Sequence, residues 1–382
     1  MPWGHEKITM NRGAMEADES LFAAADDAGL SLRAIHGKCG WAFNDIVQDC
    51  TAFALKRMPN QGLGGYATRS LARGECILTE QPLLHWKVVK GEAITHEGVE
   101  ARLSAQSKDA QRAFWSLSQN AEHGTMKHAF GIWLTNAYPT DGTSADPDER
   151  SSAVFTHICR LNHSCSPNLH CHWNATLGAQ TVYALCDIEQ GEELTVSYLP
   201  TLERPRATRR DALQANFGFT CQCVSCSLTG NALAASERRR ARLEGLEEAM
   251  RAAADPSRAA DAMRAAMSSG ADFRTAAGQQ KLRSVQSKLR AEGMALIEER
   301  LSLLEQEGSV HAARAWGMLE GAAKLCTLLG DSVEAGRWNA KAAKCALLAL
   351  GRESAEFEKY AALIRGGGGG SGVRATAKGG RA

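Results

Sequence analysis

The hydrophobic and polar positions of this chain change rhythm twice. Residues 16–35 place Leu21, Phe22, Ala25, Ala28 and Leu32 near one face of a helix. From Thr51 the pattern turns to strands: 51–57 is rich in apolar and β-forming residues and stops at the turn Met58-Pro59-Asn60. The glycine-rich stretch Gly62-Leu63-Gly64-Gly65-Tyr66-Ala67-Thr68 follows, then the turn Arg73-Gly74-Glu75 and a strand over 76–80. Helical spacing returns over 99–121, where Val99, Leu103, Ala110, Ala113, Phe114 and Leu117 recur on one side. A second apolar segment spans 130–138, a Gly/Asp/Ser/Pro loop spans 141–150, and a short apolar run occupies 153–161.

Beyond residue 229 the composition shifts to Ala, Leu, Arg and Glu. A helix is expected over 236–254, closed by Asp255-Pro256, with three more over roughly 279–306, 310–329 and 332–349. Gly308, Gly330 and Gly351 mark their ends, so the region reads as helical hairpins. Residues 366–382 are glycine-rich, carry Arg374, Lys378 and Arg381, and are expected to be a disordered tail.

Composition narrows the function classes. The 382 residues carry a net charge of +1, so no overall field calls for nucleic acid or an acidic membrane. Arginines at 238–242 alternate with Glu244, Glu247 and Glu248, the pattern of a solvated helix face, and direct nucleic-acid binding is not expected. No apolar run approaches the roughly 18 residues of a membrane span, so no membrane partner is expected. The start, Met1-Pro2-Trp3-Gly4-His5-Glu6-Lys7, lacks the layout of a signal peptide. Twelve cysteines without a secretory signal favour thiols and a metal over disulfides, so a soluble protein of the nucleus or cytoplasm is expected.

Three clusters carry the chemistry: Asn162-His163-Ser164-Cys165-Ser166-Pro167-Asn168, Gly191-Glu192-Glu193-Leu194-Thr195-Val196-Ser197-Tyr198, and Cys221-Gln222-Cys223-Val224-Ser225-Cys226. The last provides three thiol ligands, whereas a closed structural zinc site needs four. Cys39 and Cys50 are too few for a second zinc module and read as buried thiols. Gly62-x-Gly64-x-x-Ala67 lacks the following helix that a dinucleotide fingerprint requires. Cys159, Cys171, Cys186, Trp173 and Tyr183 read as core, and His170 and His172 alternate along a strand.

The order of these clusters resembles a SET domain with its post-SET zinc cluster, in the layout of the SET-and-MYND family and fungal SET proteins but without a MYND finger. The likeness covers roughly residues 51–229, with a weaker echo beyond. It implies an α+β fold: short twisted sheets tied in a pseudoknot, a helical insert at about 90–150 within a SET domain over 51–200, and a zinc-binding post-SET cap over 201–229. An α-helical, tetratricopeptide-like domain would span 230–365, after a partly helical extension over 1–50.

That family transfers a methyl group from S-adenosylmethionine, usually to a protein lysine, so the resemblance implies this cofactor, a protein substrate and Zn²⁺. A monomer is expected. The cofactor-binding residues it implies are Gly62, Gly64, Tyr66, Asn136, Asn162, His163, Tyr198 and Phe219. Tyr198 is also the implied catalytic residue; a phenol titrating near pH 10 is a poor base, so its task is to align the amine. Phe155, Phe217 and Phe219 stand where the family has the aromatics of its lysine channel, and Cys165 is the implied fourth ligand beside Cys221, Cys223 and Cys226. Two other readings stand: a SET scaffold acting as an interaction module, and an enzyme working on a non-lysine or small-molecule acceptor.

Overall fold

A computed structural model describes residues 52–58, 62–88, 93–140, 150–200, 202–253, 255–268, 272, 274–308 and 312–367. The helix expected over 16–35, Cys39, Cys50 and the tail lie outside the described residues. Among the described residues ten short strands form three small sheets: β1 (Phe53–Met58), β2 (Gly62–Ala67), β3 (Cys76–Glu80), β4 (Leu84–Val88), β5 (Tyr138–Pro139), β6 (Arg150–Val154), β7 (Asn162–His163), β8 (Leu169–Asn174), β9 (Ala179–Ala184) and β10 (Glu193–Val196). Their orders are β1-β2-β10-β7, β3-β9-β8 and β4-β6-β5.

The first sheet sets up the site. β1 and β2 pair antiparallel along their full lengths, from Phe53 opposite Ala67 to Met58 opposite Gly62. β10 lies antiparallel to β2 on one side and parallel to β7 on the other, with Thr195 opposite Asn162 and Val196 opposite His163. Parallel neighbours need a long crossover between them. Here that crossover is the β8–β9 hairpin, which joins β3 to form the second sheet. Glycine at 64 and 65 is what lets the strands close up. A Cβ at 65 would lie 2.7 Å from Leu161, and one at 64 would lie 2.7 Å from the Asn162 amide.

The insert departs from the single helix expected over 99–121. Two helices form instead, α1 (His96–Ser104) and α2 (Lys108–Trp115), because the Ser107 hydroxyl accepts the Ala110 N–H at 3.2 Å and starts a new helix. With α3 (Ala129–Asn136) they cover a core of Leu84, Trp86, Val99, Phe114, Ile132 and Trp133. The cap holds α4 (Arg206–Phe217), ended by Gly218 in the left-handed region at φ 75°.

The C-terminal region forms six helices among the described residues, α5 (Gly230–Ala253), α6 (Pro256–Ser268), α7 (Ala276–Gln306), α8 (Ala312–Leu328), α9 (Ser332–Leu350) and α10 (Ala355–Gly367). Two were not expected. Asp255-Pro256 closes α5 but also opens α6, with Asp255 Oδ1 accepting the Ser257 N–H at 2.9 Å, and Ser354 caps α10 by accepting the Phe357 N–H at 3.2 Å. These helices rest on the second sheet. Leu185 joins their core, the Asn174 amide donates to the Glu353 carbonyl at 3.1 Å, and His172 Nε2 sits 3.5 Å from Glu356 Oε2. Gly351, at φ 86°, leaves no room for a Cβ against the Tyr183 hydroxyl.

Candidate active site and cysteine centre

A cleft of about 1680 Å³ runs between the first two sheets, the cap and the C-terminal helices. Asn162, His163 and Tyr198 line it, together with Phe217 and Phe219 from the cap and Trp316 and Glu356 from the helices. The two-residue parallel pairing of β7 with β10 is what brings Asn162-His163 beside the chain leading to Tyr198.

Tyr198 is ringed by aromatics. Its ring centroid is 4.9 Å from Phe217, 5.3 Å from His163 and 6.3 Å from Phe219, the last edge-on. Its hydroxyl donates to the Leu161 carbonyl at 2.7 Å. Burial, and then the nearby Cys159, Cys171 and Glu193, push this phenol well above its ordinary range, so it stays protonated at neutral pH.

His163 is held by two contacts. The Tyr198 backbone N–H donates to Nδ1 at 3.0 Å, and burial pushes the imidazole down to about 4. The neutral ring therefore carries its proton on Nε2, which lies 3.3 Å from Cys165 Sγ. Its side chain thus ties the strand pair to the cysteine centre. The Asn162 amide donates to Glu193 Oε1 at 2.8 Å. Gly62, at φ 77°, lines the cleft, whereas Gly64 is packed against the Asn162–Glu193 pair. Tyr66 sits on the β1 side, with Lys56 Nζ 5.3 Å over its ring, and burial followed by Glu193 raises its phenol.

The remaining expected residues separate. The Asn136 side-chain nitrogen is used inside the protein, donating to the Ser118 and Ile132 carbonyls at 2.7 Å each, although the residue borders the cleft. Phe155 is fully buried in the core beneath Tyr138, with ring centroids 6.2 Å apart. The aromatic that reaches the cleft from this side is Tyr138. Cys159, Cys171 and Trp173 pack against the core as the sequence suggested and also border the cleft, whereas Cys186 is exposed and departs from the core reading.

Two carboxylates were not singled out from sequence. Glu193 lies in a strand whose alternation sets it on the same face as Thr195, which was a usable signal. Glu80 is 3% exposed and accepts the backbone N–H groups of Thr156, His157 and Ile158 at 2.8 to 3.0 Å, besides His157 Nδ1 at 3.1 Å. It fixes the turn leading into β7, and nothing local in the sequence announces that.

The sulfur atoms of Cys165, Cys221, Cys223 and Cys226 all lie within 4.8 Å of one another, and Cys165 and Cys226 are 3.6 Å apart. A tetrahedral zinc–thiolate centre with bonds of about 2.3 Å has sulfur–sulfur edges of about 3.8 Å, so the donor set and its spacing fit Zn²⁺. Backbone N–H groups of Cys165 and Cys223 point at Cys223 Sγ (3.4 Å) and Cys221 Sγ (3.5 Å), and hydrogen bonds from the other three thiols push Cys223 strongly towards the thiolate.

Residues 62–199 match the family model of the SET domain. Over 171 residues the chain is 35% identical to the histone-lysine N-methyltransferase set5 of Schizosaccharomyces pombe, covering 45% of this chain and 49% of that protein. It is 36% identical over 90 residues to the human N-lysine methyltransferase SMYD2, covering 23% and 20%, and 36% identical over 103 residues to a SET and MYND domain-containing protein of Dictyostelium discoideum, covering 26% and 19%. The chain therefore spans about half, or less, of the length of these relatives.

Proposed function

We propose that this chain, whose residues 62–199 form a SET domain, is a protein-lysine N-methyltransferase that uses S-adenosylmethionine and holds one structural zinc ion. The observation that carries the reading is the parallel pairing of Asn162-His163 with Thr195-Val196, which places Tyr198, Phe217 and Phe219 around one cleft. The set5 and SMYD2 relatives, both lysine methyltransferases by name, support it.

The cleft fits the cofactor by its chemistry. It combines aromatic walls with the carboxylates of Glu193 and Glu203 and open backbone at Gly62, suited to a molecule that is aromatic at one end and cationic at the other. S-adenosylmethionine, when bound, supplies a methyl group on a positively charged sulfur. The chain's own task is positioning, since an in-line transfer depends on holding two reactants in register. Asn162, His163 and Gly62 present backbone and amide groups, with Glu193 fixing the Asn162 amide. Phe217, Phe219 and Tyr138 hold an aliphatic stem and exclude water, and such a dry wall favours the neutral, nucleophilic form of an amine. Tyr198, protonated and half-buried, aligns that amine and is not the base.

The test is radiolabelled S-adenosylmethionine with purified protein, a histone mixture and a cell extract, followed by amino-acid analysis of labelled protein. Label on lysine is expected. Label found only in a small molecule would replace the lysine reading, and no labelling or cofactor binding by folded, zinc-loaded protein would leave an interaction module.

A further inference from the structure

Arg209 in α4 is 1% exposed, and no carboxylate partners it among the described residues. Nη1 donates to the Arg204 carbonyl, Nε has no partner, and Nη2 lies 3.7 Å from Cys226 Sγ. An unpaired buried cation is costly, so a guanidinium kept here needs an anion nearby. The group that can supply it is the cysteine cluster: four thiolates around one Zn²⁺ sum to −4 + 2 = −2.

The flanking residues of α4 aim the same way. Arg206 donates to the Cys226 and Leu228 carbonyls at 3.2 and 3.0 Å, and Arg210 to the Cys221 and Cys226 carbonyls at 3.1 and 3.0 Å. Behind Arg209 stands a second buried guanidinium, Arg240 of α5, also 1% exposed. It donates to the Leu202 carbonyl and pairs with Glu307 Oε2 at 2.9 Å, just past α7. Ser236 and Arg239 reach the same carboxylate at 2.7 and 2.5 Å. Arg240 and the part-exposed Arg239 share the Glu307 carboxylate, which Arg209 does not reach, so among the described residues the charge balance for Arg209 calls for a negative cysteine centre.

We propose that Arg209 is the buried counter-cation of the tetrathiolate zinc centre and that, through the adjoining Arg240–Glu307 pair, it couples metal occupancy to the docking of the C-terminal helices. The inference rests on the reading of the four cysteines as a zinc site. Arg209 is a positioning residue, acting on the metal through electrostatics and on α4 through the thiolate it faces. Loss of an outer-shell partner of this kind typically costs about 10- to 100-fold in metal affinity.

The experiment compares zinc-loaded wild type with Arg209→Met, which keeps an unbranched chain without charge, Arg209→Lys, which keeps charge, and Ile132→Ala, which removes a fully buried apolar residue of the separate insert core. Zinc transfer to a colorimetric chelator is timed beside thermal unfolding. Arg209→Met is expected to release zinc about 10- to 100-fold faster than wild type, Arg209→Lys to recover most of the difference, and Ile132→Ala to lose thermal stability with little change in release. Release as fast from Ile132→Ala as from Arg209→Met, or equal release from wild type and Arg209→Met, overturns the role of Arg209. Wild type purified without zinc overturns the metal reading itself. Should Arg209→Met not fold, chelation of wild type reads the same link: amide exchange at 236–243 and 304–307 must rise, and unchanged exchange there sinks the coupling.

Discussion

The hydroxyl of Tyr198 donates to the carbonyl of Leu161 at 2.7 Å, joining the second residue after β10 to the residue before β7. That bond clamps the parallel strand pair at one end while the same phenol faces the cleft. Tyr198→Phe therefore has two expected effects. Lysine labelling falls by about 10²–10³, the usual loss for a well-placed polar group in a dry site. The Leu161 carbonyl also loses its partner, which costs about 1–3 kcal/mol and a few degrees of Tm. Zinc content and cofactor affinity stay near wild type. Calorimetry and melting beside the radiolabel assay check this, and an unchanged labelling rate would exclude Tyr198 from the reaction.

A side chain at residue 64 attacks the cofactor motif from behind. Its Cβ would lie 2.7 Å from Asn162 Nδ2 and 2.9 Å from Glu193 Oε1, atoms that bond to each other at 2.8 Å. Gly64→Ala, Asn162→Ala and Glu193→Gln should each weaken S-adenosylmethionine binding, by about 2- to 10-fold for one lost hydrogen bond. Titration calorimetry reads it. Equal affinity in all three variants would place the cofactor elsewhere.

Cys223 supplies one of the four clustered sulfurs, and its Sγ also accepts the Cys165 backbone N–H at 3.4 Å, so its loss opens the centre on the side that faces the Asn162–Cys165 segment. Cys223→Ser is expected to purify without stoichiometric zinc and to melt well below wild type, since a structural zinc contributes about 10–16 kcal/mol of apparent binding free energy to folding. Metal analysis and thermal unfolding decide this, and a zinc-loaded serine variant of wild-type stability would contradict it.

Glu320 supplies a pH test of the helical region. Burial pushes its carboxyl up, but hydrogen bonds from Lys324, Lys359 and Tyr360 outweigh this and bring it down to about 2, below the ordinary 4.5. A carboxylate depressed in the folded state stabilises above the unfolded value, and that contribution fades as pH falls from 4.5 towards 2. The stability advantage of wild type over Glu320→Gln should therefore shrink across that window in a pH series of melting curves. A difference that stays constant from about pH 5 to about pH 2 would show that Glu320 does not carry the effect.

The four cysteines, the Asn162-His163 pair and Tyr198 were legible in the sequence because each lies in a short motif whose spacing is itself chemical information, and the structure brings all of them to one cleft and one cluster. Helix content beyond residue 229 was legible from periodicity, but two helix starts were not. Ser354 and Asp255 act as caps only where the neighbouring chain turns back, and a serine or aspartate read alone marks an end as readily as a beginning.

Tertiary structure decided the rest. Phe155 and Tyr138 are both aromatic and both near β6, yet one is core and the other is cleft wall, because β5 pairs with β6 and brings Tyr138 over Phe155. Asn136 spends its amide nitrogen on carbonyls that α3 and the preceding loop place beside it. Nothing in the sequence separates Arg209 from the neighbouring Arg206 and Arg210. Only the fold sets it against Cys226 on one side and near Arg240 on the other. What the chain could determine by itself was the chemistry held in residues near one another in sequence. Burial and partnership across 17 to 67 positions depend on which surfaces meet, and a charge changes meaning once water is excluded from around it.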